Sequence, residues 1–246
     1  MQRLIFFLLL GTLLLPAASP LSAQENERRS PPDARIIARE ALFALPPGQW
    51  DMEAVLITRG NKTDSDTPTE RALSIQLRIL PGSTREIIYA SANVNEQDEG
   101  VRVRLFRDGA IKLIDLNTEK PARNLQAVVM ESAFTIEDVS LSFLSWPKQE
   151  YLAEETVRGR RCWKIRSRPG SPGVSAYTQV DSWIDQTYRA LLQATAFNSA
   201  KQVAKEFRVK SFKEFDGVWM LKTLELLAPA QQSRSRLEIQ AARKVD

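Results

Sequence analysis

The residue types that most often carry enzymatic or metal chemistry are nearly missing from this chain of 246 residues. It contains no histidine and one cysteine, Cys162. A serine–histidine–aspartate triad and an internal disulfide are therefore excluded, and the common zinc sites lack their ligands. Cys162 lies within a predicted strand with no histidine to activate it, so we interpret it as a small structural residue.

Carboxylates are the remaining candidates for catalysis. Asp181 and Asp185 lie on the same face of a predicted strand and could in principle act as a general acid/base pair. Such pairs are more typical of solvent-facing strand residues or turn anchors. The ten glycines form no phosphate-binding loop. We therefore expect neither a catalytic residue, nor a metal, nor a cofactor.

The charge pattern argues against a nucleic-acid partner. The formal net charge is +4 and the sequence pI is about 9.3, but basic residues are interspersed with acidic ones throughout. No run or helix concentrates them, as a phosphate-binding surface would require. An apolar content of 43% with 26% charged residues is ordinary for a globular protein with a sizeable core.

The clearest structural pattern is a series of antiparallel strands between residues 150 and 227. Apolar and polar residues alternate between marked turns, which is typical of strands with one buried face. Asp216-Gly217 predicts a two-residue hairpin turn, because both central positions of a type I′ turn need positive φ. The predicted segments are Glu154–Ile165 with a turn at Gly159, Tyr177–Asp185, Ala190–Phe197, Phe207–Phe212 and Val218–Leu224.

This order of residues resembles a known family. A strand ends in Cys162-Trp163-Lys164-Ile165, Tyr177 and Trp183-Ile184-Asp185 follow, and Phe212 leads to Trp219 across the Asp-Gly turn. The pattern is similar to the outer membrane lipoprotein-sorting proteins, relatives of the periplasmic lipoprotein carrier LolA. The resemblance is clearest over 135–240 and fainter over 34–115. It implies a mainly β (α+β) fold: a curled antiparallel sheet forming an incomplete half β-barrel, with short helices covering the concave face.

The N-terminus has the features of a secretory signal peptide, 1–23. A basic start is followed by the apolar stretch Leu4–Leu15, which is too short to span a bilayer, and then by small residues. We expect cleavage after Ala23, with Ser19 as the alternative site and an uncleaved membrane anchor as the less favoured interpretation. Residues 24–32 are polar and Pro-containing, which predicts a disordered lead-in before a single half-barrel domain, 33–246.

The rest of the chain supplies two helices and further strands. An amphipathic helix is predicted over Ala34–Leu45, capped by Asp33; it could pack across the open side of the half-barrel or be an ordinary surface helix. A second, short helix over Ile136–Leu144 is expected above the concave face. Asp108-Gly109 predicts another tight hairpin. Strands are predicted at Trp50–Thr58, Leu73–Ile79, Thr84–Ala92, Val101–Leu105, Ala110–Leu116 and Ser235–Ala242, with an acidic turn over Asn93–Gly100.

A sheet with one strongly apolar face must bury that face, and two short helices cover only part of it. A hydrophobic cavity for acyl chains then becomes plausible, with Trp50, Met52, Leu56 and Trp183 as its predicted lining; a fully packed core is the alternative. The family's closed state is thought to depend on an arginine under the lid, for which this sequence offers no match.

The predicted function is a periplasmic carrier for lipidated proteins or other lipids. The resemblance implies an inner-membrane release complex and an outer-membrane receptor as partners, and we expect a monomer. The alternative is an envelope-stress sensor or regulatory binding protein on the same fold.

Overall fold

A computed structural model describes residues 31–60, 67–92, 100–122 and 124–245. Within these ranges, twelve antiparallel strands form one open sheet, as the sequence predicted. The bounds are β1 (Gln49–Arg59), β2 (Thr69–Leu80), β3 (Thr84–Ser91), β4 (Gly100–Leu105), β5 (Ile111–Asp115), β6 (Lys148–Val157), β7 (Arg160–Arg168), β8 (Gln179–Asp185), β9 (Leu191–Phe197), β10 (Val203–Phe215), β11 (Val218–Ala228) and β12 (Ser233–Val245).

The sheet consists of two meanders joined at their ends. Strands β1 to β5 are consecutive neighbours, and so are β6 to β12; the pairing of β1 with β12 connects the two sets. Strands β5 and β6 are the two edges, so the sheet curls without closing. Alternation along β1 places Trp50, Met52 and Leu56 on the buried face, which we call the inner face. The opposite face is called the outer face.

Helix α1 (Ala34–Leu42) is shorter than the sequence indicated. The Asp33 side chain caps it by accepting a hydrogen bond from the Arg35 amide at 2.8 Å. The helix buries Ile37, Ala38, Ala41 and Leu42 and packs against β6, β7 and β8. It ends before the predicted Leu45, with Phe43 as the first residue outside helical geometry. Pro46 has no N–H to donate to the Leu42 carbonyl and disfavours helical geometry at Leu45 directly before it.

The segment 124–146, which we call the strap, contributes buried side chains to the same core as the inner face of the sheet. Its predicted single helix is two short pieces, α2 (Ile136–Val139) and a 3₁₀ turn at Ser142–Ser145. The prediction of one continuous helix was wrong because Leu141 has a φ of 49°, a left-handed conformation that interrupts helical geometry. Phe134 and Phe143 of the strap are fully buried.

The turns largely follow the sequence. Asp216 and Gly217 have φ values of 44° and 76° between paired residues Phe215 and Val218, which confirms the predicted hairpin. The Asp108-Gly109 turn is looser than predicted. There Gly109 alone has positive φ, and the Phe106 amide donates to the Ala110 carbonyl at 2.9 Å, which leaves a three-residue loop.

The predicted signal peptide 1–23, the lead-in as far as residue 30 and most of the acidic turn, residues 93–99, lie outside the described residues. Among the residues that are described, none of the helices has the length and apolar character needed to cross a membrane.

Candidate functional site

A cavity of about 920 Å³ lies on the inner face of the sheet. Its walls come from the end of α1 and the residues after it, from β1 to β3, from β9 to β12, and from the strap. The volume is at the upper end of the roughly 300–1,000 Å³ typical of small-molecule sites. Both meanders and both covering elements therefore contribute to one site.

Apolar side chains form most of the cavity wall. They follow from period-two alternation, which directs every second residue of each strand to the inner face. The first meander contributes Met52, Ile75, Leu77 and Ile87, and the second contributes Phe207, Met220, Leu224, Leu237 and Ile239. Such a wall favours an apolar ligand, because it offers few hydrogen-bond partners.

Tyr89 of β3 adds a phenol to this wall. Burial among its neighbours raises the pKa of Tyr89 to about 12. The side chain therefore stays neutral at physiological pH and does not place a negative charge in the apolar wall.

One side of the cavity contains a buried ion pair between the strap and the sheet. The Lys205 ammonium contacts the Asp138 carboxylate and donates a second hydrogen bond to the Ala133 carbonyl at 2.8 Å. The Tyr177 hydroxyl donates to Asp138 Oδ1 at 2.7 Å, and the Thr135 amide donates to Oδ2 at 2.8 Å. We call Asp138, Tyr177 and Lys205 the anchor, since they connect the strap to β10 and to the residue stretch before β8.

The anchor is deeply buried, with Asp138 1% and Lys205 7% exposed. Burial, followed by the neighbouring Asp138 charge, raises the pKa of Tyr177, so this residue remains a hydrogen-bond donor. Glu137, which precedes Asp138 in sequence, is fully buried, and its pKa is raised by that burial, although a hydrogen bond from Gln126 Nε2 at 2.5 Å opposes the change.

A different set of residues lines the cavity where it meets solvent. Five of these, which we call the rim, come from the β6–β7 turn, the β8–β9 turn and the β10–β11 hairpin: Arg158, Arg160, Tyr188, Phe212 and Trp219. The three aromatic side chains are large and exposed, Tyr188 at 64%, Phe212 at 38% and Trp219 at 68%. Tyr188 and Trp219 also have a polar end, which suits a boundary between apolar and wet surroundings.

The two rim arginines have different partners. Arg160 Nη1 lies 3.0 Å from Asp185 Oδ2, and its guanidinium is 4.8 Å from the centre of the Tyr188 ring. Arg158 Nη1 donates to the carbonyls of Val209 and Lys210 at 2.6 and 2.8 Å. These carbonyls follow Arg208, the last residue of β10 that pairs with β9, so Arg158 connects the β6–β7 turn to a part of β10 that pairs with β11 but no longer with β9.

The four side chains predicted to line the cavity occupy different positions. Met52 lies in the wall. Trp50 and Leu56 share its face but are buried in the core, and Trp50 Nε1 donates to the Pro47 carbonyl at 2.8 Å. Trp183 lies in a separate small cluster with Cys162 and Leu192, where its Nε1 donates to Glu155 at 2.7 Å. The prediction for Trp183 assumed that its strand position faces the cavity.

The two aspartates considered for catalysis each have an arginine partner. Asp181 receives two hydrogen bonds from Arg166, at 2.7 and 2.8 Å. Asp185 pairs with Arg160 and also accepts hydrogen bonds from the amides of Thr187 and Tyr188, both at 2.8 Å. Asp185 therefore stabilises the β8–β9 turn. Burial raises the pKa of the Cys162 thiol, which disfavours the reactive thiolate. The described residues contain no cluster of ligands suited to a metal ion.

Sequence reasoning missed the anchor and the rim. Lys205 could have been found from the alternation of β10, because it shares a face with Phe207 and Val209. Arg158 gave no such signal, since its role depends on the curl of the sheet, which brings the β6–β7 turn and β10 together.

Comparisons with known proteins agree with this architecture. A family model described as an uncharacterized protein matches residues 116–245, which include the strap and β6 to β12. No curated protein matches the chain by sequence.

Solved structures match nearly the whole sheet. An outer membrane lipoprotein-sorting protein domain from Vibrio parahaemolyticus has a TM-score of 0.68 at 16% identity, covering 86% of this chain and 92% of that one. A DUF1329 family protein from Desulfovibrio piger has a TM-score of 0.62 at 13% identity, covering 86% and 91%. A LolA superfamily protein from Nitrosomonas europaea has a TM-score of 0.59 at 13% identity, covering 87% and 94%. The chain therefore belongs to the family of uncharacterized proteins whose model spans residues 116–245, and its fold is the LolA-like fold of the lipoprotein-sorting proteins.

Proposed function

We propose that this protein is a non-enzymatic carrier that shields the acyl chains of lipids or lipidated proteins. The observation that carries the proposal is the apolar cavity of about 920 Å³ on the inner face of the sheet. The apolar side chains that line the cavity, and the fold that the protein shares with lipoprotein-sorting proteins, support the same conclusion.

Burial of an acyl chain in such a cavity supplies the driving force for binding. Burial of an acyl chain contributes about 0.8 kcal/mol for each CH₂ group. A chain that buries about ten CH₂ groups therefore gains on the order of 8 kcal/mol, from which the costs of association are subtracted. No catalytic group is needed for this activity.

We further propose a cellular context for this activity. We place the protein in the periplasm after cleavage of the leader 1–23, with 33–246 as one domain that acts as a monomer in outer-membrane lipoprotein sorting. An inner-membrane release complex and an outer-membrane receptor are the partners that this role implies. The basic and apolar leader in the sequence and the fold of the structural neighbours support this context.

The test compares two leucines on one strand. Leu224 of β11 lines the cavity, whereas Leu227 of the same strand does not. We expect Leu224→Trp to weaken binding of a fluorescent long-chain fatty acid at least tenfold, because the larger ring occupies the space for the chain. Leu227→Trp serves as the matched control and should bind like the unmodified protein.

Fluorescence titration of the purified, delipidated proteins measures both affinities. Equal affinity of the unmodified protein and the Leu224→Trp variant, with both folded by circular dichroism, would exclude the cavity as the binding site. Failure of the unmodified protein to bind any acyl chain would overturn the proposed function.

A further inference from the structure

We propose that the rim recognises a negatively charged group at the polar end of the cargo, so that the preferred ligand is an anionic amphiphile. The inference rests on the proposed function and specifies its ligand class. Among the side chains that line the cavity, positively charged ones outnumber carboxylates, and not all of them have a carboxylate partner.

The carboxylates in the cavity wall are already compensated. Among the described residues these are Asp138 and Asp185. Asp138 pairs with Lys205, and Asp185 pairs with Arg160 while its other oxygen accepts two backbone amides. Neither carboxylate is left to neutralise a further cation.

Arg158 supplies the excess positive charge. Its side chain is exposed and donates to two carbonyls of β10. Within the described part of the chain, no carboxylate lies within ion-pair distance of it. Lys210, also in the cavity wall, adds a further positive charge. Its Nζ lies 3.9 Å from the Glu225 carboxylate, and that carboxylate also pairs with Arg234. The mouth of the cavity therefore has a net positive charge.

Arg158 is held in place at the mouth. The β6–β7 turn consists of Arg158 and Gly159 with φ values of 51° and 79°, which is the two-residue type I′ arrangement. The two carbonyl contacts through Nη1 then fix the guanidinium beside β10. Arginine has five N–H donors, so other donors remain to bind a carboxylate or phosphate.

The position of this charge decides which ligand it suits. An acyl chain in the apolar wall would leave its polar end near Tyr188 and Trp219, where the wall meets solvent. A guanidinium at that boundary attracts carboxylate or phosphate oxygens and offers nothing comparable to an uncharged alcohol. Carboxylate and phosphate share this chemistry, and the experiment distinguishes them.

The experiment measures affinity for three ligands with the same acyl chain: a fatty acid, a monoacyl glycerol phosphate and an uncharged monoacylglycerol. Each is titrated against a bound fluorescent acyl probe at neutral pH and low salt. We expect both anionic ligands to bind roughly fivefold tighter than the uncharged one, the size expected of an exposed ion pair. A preference limited to one anion would identify which oxygen group fits the rim.

Two charge-removing variants locate the effect. Arg158→Gln should abolish the preference for anions. Arg161→Gln removes the same charge three residues away, from a side chain that is 75% exposed, paired with Glu154 and absent from the cavity wall, and should retain the preference. Arg158→Lys keeps the charge and should retain part of it, which separates charge from any loosening of the turn.

The possible outcomes are distinct. Equal affinities for charged and uncharged ligands in the unmodified protein, or an unchanged preference in Arg158→Gln, would overturn the inference and leave the carrier function intact. Absence of binding for all three ligands would overturn the carrier function itself.

Discussion

The anchor and the rim both place charged side chains beside an apolar cavity, but these side chains differ in burial and in the partners that they contact. At the anchor, Asp138 and Lys205 are buried and each has further hydrogen-bond partners. At the rim, Arg158 is exposed and donates hydrogen bonds to two backbone carbonyls. The difference follows from solvation, because a buried charge without a partner is costly, whereas water can stabilise an exposed one. The anchor therefore suits a structural role and the rim suits recognition.

The largest effect is expected at the anchor. Lys205→Met leaves the Asp138 carboxylate buried without its cation, which should lower the free energy of unfolding by about 3–5 kcal/mol. Urea denaturation measures the change. Tyr177→Phe removes one hydrogen bond to the same carboxylate and should cost less, about 1–3 kcal/mol. If Lys205→Met lost under 1 kcal/mol, the anchor would not be what holds the strap.

An intermediate effect is expected next to the anchor, at Glu137, and it depends on pH. Because burial raises the folded-state pKa of Glu137, its protonated form favours the folded protein. That contribution is fully present below the unfolded pKa, whose reference value is 4.5, and is lost as pH rises through the folded pKa. The glutamine of Glu137→Gln is neutral at every pH. The variant should therefore lack the loss of unfolding free energy that ionisation of Glu137 causes as pH rises.

Urea denaturation between pH 4 and pH 8 provides the test for Glu137. The difference in unfolding free energy between Glu137→Gln and the unmodified protein should grow in favour of the variant as pH rises. A constant difference over this range would show that Glu137 titrates normally in the folded state.

The smallest effect on stability is expected at the rim. Arg158→Gln removes hydrogen bonds from an exposed side chain and should lower the unfolding free energy by about 1 kcal/mol or less. The same urea titrations measure it, and the comparison with Lys205→Met then contrasts a recognition site with a structural one. A loss as large as that of Lys205→Met would assign Arg158 to the structural framework instead.

The sequence predicted the strands well because the alternation of apolar and polar residues is a local signal. The inner face of β1 illustrates this, since Trp50, Met52 and Leu56 alternate with polar residues and share one buried side. Trp183 shows the limit of the signal. The centre of its ring lies 4.7 Å from Lys164 Nζ and its Nε1 donates to Glu155, so it packs with charged side chains of β6 and β7 and is absent from the cavity wall.

Features that depend on distant pairing could not be predicted. The contact of Arg158 Nη1 with the Val209 carbonyl joins residues 51 positions apart in sequence, and the Lys205–Asp138 pair joins residues 67 positions apart. The strap also lacks a regular period, because its conformation is set by buried side chains such as Phe134 and by the left-handed residue Leu141. Only the curled sheet brings these groups together.

Native mass spectrometry of the protein purified without detergent tests the central claim most directly. The account predicts a population with added mass equal to one or a few acyl-containing molecules, reduced in the Leu224→Trp variant and retained in Leu227→Trp. A protein that carries no added mass, and that takes up no fatty acid when incubated with it, would contradict the account.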